Sequence, residues 1–271
     1  MDSPAQVAEK IRSVKVQGAK EIAIYSLEYL RKFCKKYGFG LKFEVVTMIL
    51  ENARPTAVVL HNCIEILKKK RSVKTIDQLI KRLNESTMQL AKIGNKIVPQ
   101  RAVIMTHCHS GEALAVIKEA WKSKKKISVF ATVTEPLGQG IKTAKELAKL
   151  KIPVTLINDN AVGYLMRHVD LVIVGSDAIR KNGVVNKVGT SLLALAAKEN
   201  KKLFYVVAST IKFDRRKKFV VEERPGSEVY KKIKGVKIRN PAFDMTDWKF
   251  VSGVVTENGI LKPEKIKRIL K

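Results

Sequence analysis

The sequence predicts an α/β protein: a helical N-terminal domain followed by a Rossmann-like C-terminal domain on a mostly parallel sheet. Three observations predict it. Before Arg101 the apolar residues recur at helical spacing and no run reads as a strand. From Arg101 onward, short β-rich apolar runs alternate with helical patterns, the grammar of a doubly wound sheet. Those runs are apolar throughout, as in strands covered on both faces. The boundary is expected near Val98–Arg101, giving domains 1–99 and 100–271.

In order, Val7–Val14 is a short amphipathic helix. Ala19–Lys36 carries Ile22, Ala23, Leu27, Leu30 and Phe33 on one face. Leu41–Ala53 is a third helix, stopped by Arg54-Pro55. A fourth runs from Pro55, a good first-turn residue, to about Lys70. A long fifth covers Val73–Lys96. Strands are then expected at Ala102–Met105, Ile127–Val133, Pro153–Ile157, Leu171–Val174, Leu203–Ala208 and near Phe250–Val255. Helices separate them at Glu112–Trp121, Ile141–Leu150, Ala161–Arg167 and Thr190–Lys198.

Composition narrows the function classes. No apolar run reaches transmembrane length, and the first residues lack a secretory leader, so a cytoplasmic protein without membrane partners is expected. Cys34, Cys63 and Cys108 are odd in number and widely spaced, which argues against a disulfide framework. Lys and Arg total 53 against 25 Asp and Glu, but the basic residues are scattered in short clusters without interleaved aromatics. A solvated basic surface, which would also attract a phosphorylated small molecule, is therefore expected rather than nucleic-acid binding.

Ligands in such a sheet bind at the carboxyl ends of the strands. The tips here are His107-Cys108-His109-Ser110, Thr134–Gly140, Asn158-Asp159-Asn160, Gly175-Ser176-Asp177 and Ser209–Phe213. They would bring a thiol, carboxylates, an amide and a lysine to one rim. Cys108 and Asp177 make a proton-transfer pair. Asn186-Lys187-Val188-Gly189-Thr190, running into a helix, has the form of a phosphate cradle. Gly138-Gln139-Gly140 lacks the third glycine of a dinucleotide fingerprint. Strand alternation sends His107 and His109 to the face opposite Cys108, so no metal is expected. No cofactor is expected either.

These residues resemble the superfamily of ribose-1,5-bisphosphate isomerase, methylthioribose-1-phosphate isomerase and the regulatory (alpha, beta, delta) subunits of translation initiation factor 2B. The matching segments are Arg54-Pro55-Thr56-Ala57-Val58, Thr106-His107-Cys108, Gln139-Gly140, Gly175-Ser176-Asp177, Asn186–Thr190, Lys212-Phe213 and Asn240–Asp244. The resemblance implies Cys108 and Asp177 as the catalytic pair. It implies substrate contacts from Gln17, Gly18, Lys20, Arg54, His107, His109, Ser110, Gln139, Asn186, Lys187 and Lys212. The activity implied is an archaeal-type sugar-phosphate isomerase, ribose 1,5-bisphosphate to ribulose 1,5-bisphosphate in AMP salvage, in a homo-oligomer. A nucleotide effector is left open. The sequence also departs from the isomerases. Gln17-Gly18-Ala19-Lys20 replaces an Arg-Gly-Ala-Gly-like start, Glu135 runs straight into Pro136 without the usual arginine, and no arginine follows Asp159. The alternative is a non-catalytic, initiation-factor-2B-alpha-like protein that binds a sugar phosphate or nucleotide and protein partners.

Overall fold

The computed structural model describes residues 2–13, 15–16, 18–219 and 221–271. It divides into two compact units, 1–86 and 87–271. The division falls inside the long fifth helix rather than at the expected 99/100. The physical reason is packing: Leu90 and Ile93, near the helix's C-terminal end, join the core of the second unit. Gly94 lies so close to Val116 that a Cβ there would stand 2.4 Å from a Val116 methyl.

The first unit is helical, with α1 (Pro4–Arg12), α2 (Ala19–Tyr37), α3 (Leu41–Ala53), α4 (Val58–Lys69) and the start of α5 (Val73–Asn95). The helix expected over Val7–Val14 starts earlier, because Ser3 and Gln6 form a capping box with Pro4 in the first turn; Val14 lies outside the described residues. The apolar stripes bury Ile11, Ile22, Leu27, Leu30, Phe43, Leu50, Leu60 and Ile64 completely. α4 begins at Val58 rather than Pro55, because Arg54–Ala57 closes a turn in which the Ala57 N–H donates to the Arg54 carbonyl at 2.9 Å.

The second unit adds β1 (Val103–Thr106), α6 (Gly111–Lys122), β2 (Ser128–Thr132), α7 (Gln139–Lys149), β3 (Val154–Ile157), a short α8 (Val162–Leu165) and β4 (Leu171–Val174). Next come β5 (Ala178–Arg180), β6 (Gly183–Lys187), α9 (Thr190–Glu199), β7 (Leu203–Val207), β8 (Phe243–Thr246), β9 (Gly253–Thr256), β10 (Gly259–Leu261) and α10 (Pro263–Ile269). Among the described residues these form a seven-stranded sheet, in the order β10-β9-β7-β4-β1-β2-β3, and a three-stranded sheet, β5-β6-β8. The large sheet is parallel except for β10 against β9.

β4 shows why its sequence is uninterrupted Leu-Val-Ile-Val. Leu171 and Ile173 face the layer of α6, with Ala113, Leu114 and Ile117. Val172 and Val174 face α9 and Trp248. The small antiparallel sheet was not expected from sequence. Its strands are short and partly polar, and only the Asn182-Gly183 turn announced it. Trp248 fastens that turn, donating its indole N–H to the carbonyls of Arg180 (3.2 Å) and Lys181 (3.0 Å). No helix among the described residues is long and apolar enough to cross a membrane.

Candidate active site

The order β3-β2-β1-β4-β7 reverses direction between β1 and β4, which sit side by side with Met105 opposite Val172. That reversal is the crevice where open α/β sheets place ligands. The loop after β1 carries Cys108, and the loop after β4 carries Asp177. The two loops touch: a Cβ on Gly175 would lie 2.1 Å from Ser110 Oγ, so only glycine permits the approach. Ser110 itself caps α6, its hydroxyl accepting from the Ala113 N–H at 3.3 Å.

Cys108 is held in an unusual backbone state, with φ 68°. A non-glycine residue there is uncommon and costs about 1–3 kcal/mol, which the surroundings must offset. They do so from both ends. The Cys108 N–H donates to Thr134 Oγ1 at 2.9 Å, and Thr143 Oγ1 donates to the Cys108 carbonyl at 2.8 Å. Burial pushes the thiol up to about 11, so the free site holds it protonated. The His109 backbone N–H and the Lys187 charge favour the thiolate, while Asp177 and Asp159 act against it. Cys108 is therefore within electrostatic reach of Asp177, Lys187 and Asp159.

His107 is buried and fully engaged. Its Nε2 lies 2.9 Å from the Val188 carbonyl, which can only accept, so Nε2 carries the hydrogen. Nδ1 then accepts from Thr132 Oγ1 at 2.7 Å, and Thr132 and Thr134 are joined at 3.0 Å. Desolvation holds the imidazole below its ordinary value. The result is a directed chain from the Cys108 amide through Thr134, Thr132 and His107 to Val188, beside Lys187. His109 bonds Thr143 Oγ1 at 3.0 Å and lies 3.7 Å from Glu146.

The neighbouring tips are shaped just as tightly. Asp159 accepts from the N–H groups of Thr134 (2.9 Å) and Glu135 (2.8 Å), fixing the shortened loop after β2. Gly140 passes so near β2 that a Cβ would stand 1.7 Å from the Thr132 carbonyl oxygen. Its neighbour Gln139 begins α7, earlier than the expected Ile141, and its buried Oε1 has no hydrogen-bond partner among the described residues.

At the end of β6, Lys187 is only 7% exposed. Among the described residues its ammonium has no hydrogen-bond or ion-pair partner, and burial lowers its proton affinity. Asn186 donates to Thr190 Oγ1 at 3.0 Å. The backbone cradle expected here is already filled. The N–H groups of Gly189 (2.8 Å) and Ser191 (3.1 Å) donate to the Asp244 carboxylate, which burial pushes up in pKa. Any anion beside Lys187 must be held by side chains.

Lys212 is buried and donates to Glu112 Oε2 at 2.5 Å; the Ser209 hydroxyl donates to the other oxygen at 2.7 Å. Its charge thus has an internal counter-ion. Gly18, Lys20 and Arg54 belong to the first unit. Gly18 opens α2 with φ 91°, where a Cβ would meet Glu21 Oε2 at 2.0 Å, Lys20 lies in that helix's first turn, and Arg54 closes α3. Gln17 lies outside the described residues. The Glu51–His61–Glu65 group gathers ligand atoms within 4.8 Å, but Lys68 already bonds Glu51 (3.1 Å) and Glu65 (3.0 Å). Thr132 and Thr143 were not expected as site residues, and Thr134 and Asp159 were expected only as members of strand-tip segments. Their positions at strand tips or on the facing helix were the available signal.

A family model described as the initiation factor 2 subunit family matches residues 15–263. The chain belongs to that family. Within this initiation factor 2 subunit family, it is 40% identical to a ribose 1,5-bisphosphate isomerase of Archaeoglobus fulgidus, over 97% of this chain and 91% of that one. It is 36% identical to a methylthioribose-1-phosphate isomerase of Acetivibrio thermocellus, over 97% and 90%. A crystal structure of the translation initiation factor eIF-2B of Pyrococcus horikoshii superposes with a TM-score of 0.88 at 30% identity, covering 98% of this chain and 99% of that one. These relatives make this family member an enzyme of the isomerase class.

Proposed function

We propose that the chain isomerises ribose 1,5-bisphosphate to ribulose 1,5-bisphosphate, in AMP salvage, with Cys108 and Asp177 as the reacting pair. The observation that carries this reading is the placement of the two groups on the loops flanking the sheet's reversal, with the buried Lys187 within electrostatic reach of Cys108.

Asp177, entering as the acid, gives its proton to the ring oxygen as the bond from C1 to that oxygen breaks. Cys108, as thiolate, removes the hydrogen on C2, and the C2–H electron pair becomes the C1–C2 double bond. The thiol then returns a proton to C1. Asp177 takes the proton of the C2 hydroxyl, leaving the ketone. The C1 phosphate stays attached and the formula is unchanged. Lys187 and the amide of Gln139 supply positive charge and hydrogen bonding at the phosphates. Ser110, His107 and His109 hold the Cys108 loop, while Asn186 and Lys212 shape the opposite wall. Gly18, Lys20 and Arg54, with Gln17, are proposed as further substrate contacts. We also propose a homo-oligomer, supported by Leu192 (57%) and Leu195 (51%), which stand exposed one turn apart on α9.

A regulatory reading is favoured by the loop after β2, where Glu135 meets Pro136 with no arginine. Turnover decides between the two. Incubation with ribose 1,5-bisphosphate should yield ribulose 1,5-bisphosphate, with methylthioribose 1-phosphate as the control. Absence of product from both substrates excludes the isomerase.

A further inference from the structure

The segment between Asp214 and Ala242 begins and ends on the small sheet. At its start, the Asp214 N–H donates to the Ile179 carbonyl of β5 at 2.8 Å. At its end, the Val188 N–H, one residue past Lys187, donates to the Ala242 carbonyl at 3.0 Å. The segment then folds back on itself. The Ala242 N–H donates to the Glu222 carbonyl at 2.8 Å, and the Arg224 N–H to the Asn240 carbonyl at 2.9 Å. Residues 222–224 therefore lie as an outer rung beside 240–242, which lies beside the end of β6.

This rung carries a second cation to the site. Arg224 is mostly buried, with 20% of its side chain exposed, and pairs closely with Glu228 and more distantly, at 3.7 Å, with Glu222. Asn240 donates to the same Glu228 carboxylate at 3.0 Å. Arg224 and Glu228 both act electrostatically on Lys187, which has no hydrogen-bond or ion-pair partner among the described residues. Three groups that bind anions thus converge around one loop carboxylate.

We propose that Arg224 is a substrate-phosphate ligand of this site, held by Glu228 as a stand-in anion until the phosphate displaces it. The proposal rests on the isomerase reading above and adds a guanidinium to the cations that would meet the phosphates. A phosphate carries nearly twice the charge of a carboxylate and three acceptor oxygens, so it outcompetes Glu228 for the guanidinium fork.

The test is calorimetric binding of ribulose 1,5-bisphosphate to the wild-type chain, Arg224→Gln and Glu228→Gln, with melting curves to verify folding. Arg224→Gln should weaken binding roughly tenfold to hundredfold, the range of a charge-assisted bond. Glu228→Gln, which removes the nearer of the two carboxylates on Arg224 and leaves Glu222 at 3.7 Å, should tighten it at least about twofold. Arg224→Lys, keeping the charge without the fork, should fall between wild type and Arg224→Gln. A merely structural ion pair would move both variants the same way, or neither, and either result overturns the proposal. Wild-type binding without turnover defeats the isomerase reading alone, and the opposite signs of the variants still decide on Arg224. No wild-type binding defeats both.

Discussion

The Cys108 thiol sits in a left-handed backbone conformation, protonated, with its amide and carbonyl both fastened by threonines. Burial places its pKa at about 11. The thiolate it needs as a base therefore grows about tenfold per pH unit from pH 6 towards pH 10, while the acid form of Asp177 that the same turnover needs declines. Alkylation of Cys108 by iodoacetamide, followed by peptide mass mapping, should rise in parallel with the thiolate. An alkylation rate flat over that range would overturn the protonated resting thiol. Cys108→Ser should lower kcat by at least about a thousandfold while leaving substrate affinity within a fewfold. Thr134→Val leaves the Cys108 amide without its acceptor and should lower kcat about tenfold, with a smaller change in KM.

At the scale of elements, the site depends on how closely strands and helices approach. Gly140→Ala drives a Cβ into the Thr132 carbonyl and should destabilise the chain by about 2–4 kcal/mol, read from urea unfolding. The Asp214 carboxylate, wholly buried between Arg180 and Arg216, ties the long segment after β7 to β5. Burial alone would push Asp214 up, but the bonds from Arg216 and the Arg180 charge outweigh it and hold it below the ordinary value. A depressed carboxylate stabilises the fold above its unfolded pKa, and that stability drains away as pH falls through the folded value. Asp214→Asn should cost about 3–5 kcal/mol at pH 7, and much less in acid below pH 3. Strand and helix order on the large sheet was legible up to β9, because strands covered on both faces read as apolar runs; the antiparallel edge strand β10 and the helix α10 after it were not expected. The β5-β6-β8 sheet was not, since its strands are short and only one turn signals them. Among site residues, the strand tips were legible from sheet grammar alone. The pairing of Lys212 with Glu112, a hundred residues apart, and of Gly189 with Asp244, fifty-five apart, leaves no trace in local spacing.

For the whole molecule the net charge of +28 acts twice, with opposite signs. Self-repulsion strains the folded chain, and salt screens it over roughly 8–10 Å near physiological strength. The melting temperature should therefore rise by roughly 3–5 °C between about 20 and 200 mM NaCl. The same screening weakens attraction of a bisphosphate, so KM should rise over that interval. If KM stays constant while the melting temperature climbs, the basic surface serves solvation and not substrate capture.

Asp244, seated on the first amides of α9, has a consequence for life in a crowded cell. Bare helix ends grip small oxyanions indiscriminately, and inorganic phosphate and sulfate are abundant competitors. With that grip permanently taken by a residue of the chain itself, admission falls to movable side chains on the strand tips and the outer rung. Such a gate answers to a ligand large enough to touch several of them together, and it leaves free phosphate a poor inhibitor.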